Sequence, residues 1–106
     1  MPPGGVEQRL SPRVTVELDV ALMRDRGRPV LARTVDLSGN GMRVATTRPL
    51  HVVEVVRFDL ALDAEDTHVG GRARVVREHA LSTYALRVER LGAEDATLLT
   101  QFVAAA

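Results

Sequence analysis

Arg13-Val14-Thr15-Val16-Glu17-Leu18-Asp19-Val20-Ala21-Leu22 is the stretch on which the fold turns. Its valines and leucines alternate with Arg13, Thr15, Glu17, Asp19 and Ala21, a period of two that describes a strand with one face buried and one in water. Asp25-Arg26-Gly27-Arg28-Pro29 follows as turn chemistry, and residues 30–35 read as a second strand. The pair predicts an antiparallel hairpin.

Outward from that hairpin the pattern repeats. Asp36-Leu37-Ser38-Gly39-Asn40-Gly41 reads as a second tight connection, since Asn40-Gly41 readily takes the positive φ angles of hairpin turns. Residues 42–46 make a third strand, and Arg48-Pro49 interrupts. Residues 52–62 resume as a fourth strand with Val56, Phe58, Leu60 and Leu62 on one face. An acidic loop, 63–66, precedes a fifth strand over 71–78 and a sixth over 83–89. The period then changes. Leu98, Leu99, Phe102 and Val103 form an apolar helical stripe, and Glu94 and Asp95 suit the positive end of a helix dipole. A helix is expected from about Ala93, fraying at 104–106 and too short to stand without docking on the sheet. Six antiparallel strands in so small a domain hide their edges best by closing. The expected fold class is all-β, a six-stranded antiparallel β-barrel with a C-terminal α-helix. Residues 1–12, rich in Pro and Gly, read as a flexible N-terminal arm, and 13–106 as the barrel domain.

Composition bounds the function. A chain of 106 residues, 45% hydrophobic and 26% charged, has the profile of one ordinary globular domain. Cysteine is absent, which excludes disulfides and thiolate chemistry; with neither a signal peptide nor a membrane span visible, a cytoplasmic location without membrane insertion is expected. Net charge is zero and every basic residue is Arg. Through Arg57 there are nine Arg against six acids, and beyond it five against eight, so the front half favours an anion. A neutral domain lacks the basic face that long nucleic acid demands.

Catalysis finds no support. His51, His68 and His79 suggest neither a metal site nor a nucleophile relay, and Asp63, Glu65 and Asp66 lack the spacing of a calcium loop. No Gly-rich phosphate loop occurs. No enzyme activity, metal or cofactor is expected. What remains is a constellation in two parts. Arg9 and Arg13 are separated by three residues on the arm and at the start of the first strand. Guanidinium forks pair bidentately with phosphate or with the O6 and N7 of guanine. Asp36, Ser38 and Gly41 then gather a carboxylate, a hydroxyl and small-residue backbone at one rim. Either part alone also reads blandly, as solubilising charge or as ordinary hairpin chemistry.

Together, in this order and across one hairpin, R-x-x-x-R (Arg9, Arg13) and D-x-S-x-x-G (Asp36, Ser38, Gly41) closely resemble the PilZ domain family of cyclic di-GMP receptors. The resemblance runs through residues 7–16, 71–77 and 84–103, nearly the whole chain. It implies a single-domain receptor for cyclic di-GMP that orders its N-terminal arm on binding and signals to a protein effector in trans. Arg9 and Arg13 would be the mobile half of the site, and Asp36, Ser38 and Gly41 the fixed half. Gln8, Gly39, Asn40 and Arg74 are additional candidates. Gln8 stands where many members carry another Arg, which favours one ligand over a stacked pair. The aromatics Phe58, Tyr84 and Phe102 occupy apolar-face positions, so stacking falls to Arg side chains, Arg74 among them. The alternative reading is a PilZ-like interaction adaptor that binds no nucleotide.

Overall fold

A computed structural model describes residues 12–63 and 66–106. Among the described residues seven strands and one helix follow in order: β1 (Arg13–Thr15), β2 (Asp19–Met23), β3 (Val30–Ser38), β4 (Gly41–Thr46), β5 (Val55–Ala61), β6 (His68–Ala80), β7 (Thr83–Leu91) and α1 (Ala93–Ala105). All pairings are antiparallel. β4 pairs with both β3 and β7, so β3-β2-β5-β6-β7-β4 closes into a six-stranded barrel, and β1 lies outside the ring against the end of β3. The expected barrel and terminal helix are therefore present, with a seventh strand.

The extra strand comes from a break. The alternation of residues 13–22 continues through Val16 and Leu18, but Thr34 on β3 intervenes. Its hydroxyl donates to the Val16 carbonyl at 2.5 Å and accepts the Leu18 N–H at 2.9 Å, and its own N–H donates to the Leu18 carbonyl at 2.9 Å. These bonds replace ladder pairing for residues 16–18, dividing one expected strand into β1 and β2 on the same side of β3.

Other boundaries differ from expectation as well: β6 starts at His68 and ends at Ala80 rather than spanning 71–78, and β7 runs on to Leu91 rather than residue 89. β3 runs through Asp36, Leu37 and Ser38, leaving only Gly39 and Asn40 as the connection to β4. Neither Asn40 nor Gly41 has positive φ. The turn is held instead by the Ser38 hydroxyl, which lies 2.9 Å from Asn40 Oδ1 and 3.2 Å from the Gly41 carbonyl and itself accepts the Asn40 N–H at 3.4 Å. β5 begins at Val55 rather than residue 52 because Val53 takes φ 69°. There the chain turns, pinned by the Val53 N–H to the Val75 carbonyl at 2.7 Å and by Glu54, whose carboxylate takes a fork of bonds from Arg24 at 2.9 and 3.0 Å.

The core is the barrel interior. Leu22, Val30, Leu37, Val44, Phe58, Leu60, Val69 and Val75 are fully or almost fully buried, and Leu99 and Val103 of α1 join them from one side. Asp95 secures the helix by accepting the Gly70 N–H at 3.0 Å. Burial of Val103 holds the last turn, so α1 extends through Ala105 where fraying was expected. Register shifts at Thr34/Asp36, Arg72/Ala73, Val75/Arg77 and Glu78/Ala80 are bulges, which bend strands toward closure and re-aim side chains.

Candidate functional site

The bulge in β3 is what builds the candidate site. Thr34 faces inward, Val35 is the extra residue, and the phase then resumes with Asp36 outward, Leu37 inward and Ser38 outward. Strand register lays the outward residues in two adjacent rows. One runs Arg13–Ser38–Gly41–Arg87–Arg74 across β1, β3, β4, β7 and β6; the other runs Thr15–Asp36–Arg43–Ala85–Arg77 across the same strands.

Asp36 is the centre of this face. Although its side chain points outward it is only 9% exposed, because two guanidiniums cover it. Arg13 Nη1 donates to Oδ1 at 3.0 Å, and Arg43 Nη2 lies 3.1 Å from Oδ2. Both carboxylate oxygens are thus engaged by cations, and the Arg13 side chain remains 55% exposed. Ser38 is buried, its hydroxyl committed to the turn.

Gly41 is required by packing. A β-carbon there would stand 2.8 Å from the Leu86 carbonyl oxygen of β7, so the close approach the sequence suggested is made first by a neighbouring strand. Gly39 has open space around its Cα.

Arg74 lies in the Arg13 row but is occupied: its Nε donates to Glu89 at 2.5 Å and its Nη1 to the Val53 carbonyl at 3.1 Å. That hydrogen bond raises the Arg74 pKa and holds Glu89 below the usual carboxylate range. Two strand spacings, about 10 Å, separate it from Gly41. Phe58 and Tyr84 are core residues and Phe102 packs against the core, in keeping with their apolar-face positions. Gln8 and Arg9 lie outside the described residues, as does the arm apart from Pro12.

Arg43, Arg77, Arg87 and His79 also belong to this face and were not singled out from sequence. The signal for Arg43 was available: strand alternation from Gly41 places it on the same side. His79 has a lowered pKa, first from partial desolvation and then from the positive charges of Arg77, Arg43 and Arg13, with Asp36 opposing. A cluster so dominated by guanidinium, with one carboxylate at its centre, suits a ligand that brings its own negative charge.

A small closed antiparallel barrel thus carries a guanidinium-rich outer face beside a side-chain-held turn. The chain matches the PilZ domain family over residues 7–105 and belongs to it. PilZ domains are cyclic di-GMP receptor and adaptor modules. Among solved structures, the chain is similar to the Bacillus subtilis inhibitor of motility (MotI/DgrA), with a TM-score of 0.76 and 20% sequence identity over 92% of this chain and 50% of that one. The likeness is one of fold, and the chain spans half the length of that protein. No curated protein sequence matches the chain. Among the described residues no helix is long and apolar enough to cross a membrane.

Proposed function

We propose that this domain is a cyclic di-GMP receptor whose site is formed by Arg9 and Arg13 on one side and by Asp36, Ser38 and Gly41 on the other. The observation that carries the reading is the contact between Arg13 and Asp36, one residue from each motif, on the outer face of the barrel. Asp36 holds Arg13 over the turn while leaving more than half of its side chain open to a ligand. An ion pair this exposed is worth little by itself, about 0–1 kcal/mol, so a phosphodiester displaces or shares it at small cost. The arm, residues 1–12, closes over the ligand as Arg9 and Arg13 engage guanine and phosphate. The surface so created is read by a protein effector in trans, in the cytoplasm. With Gln8 in place of another Arg, one ligand binds per chain.

A second reading, an adaptor that binds no nucleotide, draws on the apolar outer surface beside the site, where Leu31 is 61% exposed and Val35 37%. These residues line a groove of about 510 Å³ with Thr15, Arg33 and Thr47.

Calorimetric titration with cyclic di-GMP separates the two. If each Arg supplies about 1.5–3 kcal/mol of charge-assisted bonding, the Arg9→Ala, Arg13→Ala double variant loses about 10²- to 10⁴-fold in affinity. Native affinity in that variant overturns the site assignment, and no binding by the unaltered protein leaves the adaptor.

A further inference from the structure

We infer that Arg43 is a third ligand-contacting guanidinium, fixed on the barrel, that takes a phosphodiester oxygen or a guanine acceptor of the bound cyclic dinucleotide. The inference rests on the receptor reading above and adds to it a residue outside both motifs.

Three observations carry it. Arg43 sits on β4 two residues after Gly41, in the row that also holds Asp36, and its side chain is 35% exposed on the same face as Arg13. Asp36 orients it through Nη2 at 3.1 Å, so the planar fork is held before any ligand arrives. Its Nε–H is buried and has no hydrogen-bond acceptor among the described residues. An unsatisfied buried donor on a charged group is costly, and such groups are rare unless something else supplies the acceptor. Ladder partners do not remove the orphan: Ala85 on one side has no acceptor side chain, and Asp36 on the other uses its two oxygens on Arg13 Nη1 and Arg43 Nη2. The neighbouring Arg77 adds positive charge and forms no ion pair among the described residues. An anionic ligand with phosphate oxygens and the O6 and N7 of guanine meets both needs: charge for the cluster and, with a shift of the partly exposed side chain that brings the buried Nε–H to the surface, an acceptor for that donor.

The chemistry also gives Asp36 a specific duty. With one oxygen on Arg13 and the other on Arg43, it spaces two guanidiniums across the ligand face, a positioning role in addition to any bond it makes to guanine.

The test uses the full chain and cyclic di-GMP. In ¹⁵N spectra recorded for the arginine side chains, the Arg43 Nε–H cross-peak moves on saturation with ligand. Arg43→Met, which keeps the apolar stem, binds about ten- to a hundredfold more weakly; Arg43→Lys, which keeps the charge paired with Asp36 but loses the fork, is also weakened. Melting temperatures recorded alongside separate binding from folding, and the spectrum of the unaltered protein stands even if Arg43→Met fails to fold. An unmoved Nε–H peak while amides around Gly41 shift, or native affinity in Arg43→Lys beside a weakened Arg13→Ala, overturns the role of Arg43 and leaves the receptor reading intact. Absence of binding to the unaltered protein overturns both.

Discussion

Arg13 and Asp36 lie 23 positions apart in the chain and 3.0 Å apart at Nη1 and Oδ1, joined because β1 pairs with the last three residues of β3. Removing the carboxylate therefore has two effects. Asp36→Ala releases Arg13 and Arg43 to water. Since Arg13 is largely exposed, the stability cost is about 1 kcal/mol, measurable as a small fall in the urea midpoint. Affinity for cyclic di-GMP falls more, by about tenfold or greater, because both guanidiniums lose their orientation. Equal losses in stability and binding would speak against the positioning role.

The glycines separate packing from ligand approach. Gly41→Ala puts a β-carbon 2.8 Å from the Leu86 carbonyl, and Gly71→Ala puts one hard against the Arg90 carbonyl, whereas among the described residues nothing but its chain neighbours lies within 4 Å of a β-carbon at Gly39. Thermal melts should show the first two destabilised by about 1–3 kcal/mol and Gly39→Ala nearly unchanged. A Gly41→Ala protein of native stability would mean that β7 yields easily and that the glycine serves something else.

Thr34→Val tests the break between β1 and β2. It keeps the side-chain shape and removes both the donor to Val16 and the acceptor for Leu18, at an expected cost of about 1–3 kcal/mol. Hydrogen exchange at residues 13–18 should accelerate more than at β5 or β6.

The two perturbed histidines should titrate apart. The hydrogen bond that the His68 ring donates to Asp59, 2.6 Å away, and then the carboxylate's charge raise His68 above the ordinary imidazole value of about 6.5, while desolvation and the arginines lower His79. Folding favours the proton on His68, so its stabilisation is complete below the unfolded value and is lost as pH rises through the folded one. For His79 the sign reverses: a penalty appears as pH falls through the unfolded value. Both rings are exposed, so the effect on stability is small, but imidazole NMR titration reads the separation directly. Bound cyclic dinucleotide, by neutralising the arginines, should move the His79 midpoint upward; a midpoint indifferent to ligand would place the phosphates elsewhere.

Much of this was legible in the chain itself. Period-two alternation, turn composition and the changed period at Leu98-Leu99 were enough for the barrel and its helix, because local pattern and burial agree over those segments. The division of residues 13–22 was not legible, since its cause is a hydroxyl on a neighbouring strand. The stretch Asp36 to Ser38 has turn composition yet serves as strand, because β1 and β4 pair with it on both edges. Those same pairings bring Arg13, Asp36, Ser38 and Gly41 into one neighbourhood. The engagement of Arg74 by Glu89, and the buried Nε–H of Arg43, depend on side-chain geometry that spacing alone does not encode.

The most direct measurement of the central claim is an amide ¹H–¹⁵N titration of the chain with cyclic di-GMP. The account predicts shifts at Arg13, at Asp36 through Gly41 and at Arg43, saturating at one equivalent, with α1 undisturbed. Unchanged spectra at excess ligand, or shifts confined to α1, would contradict it.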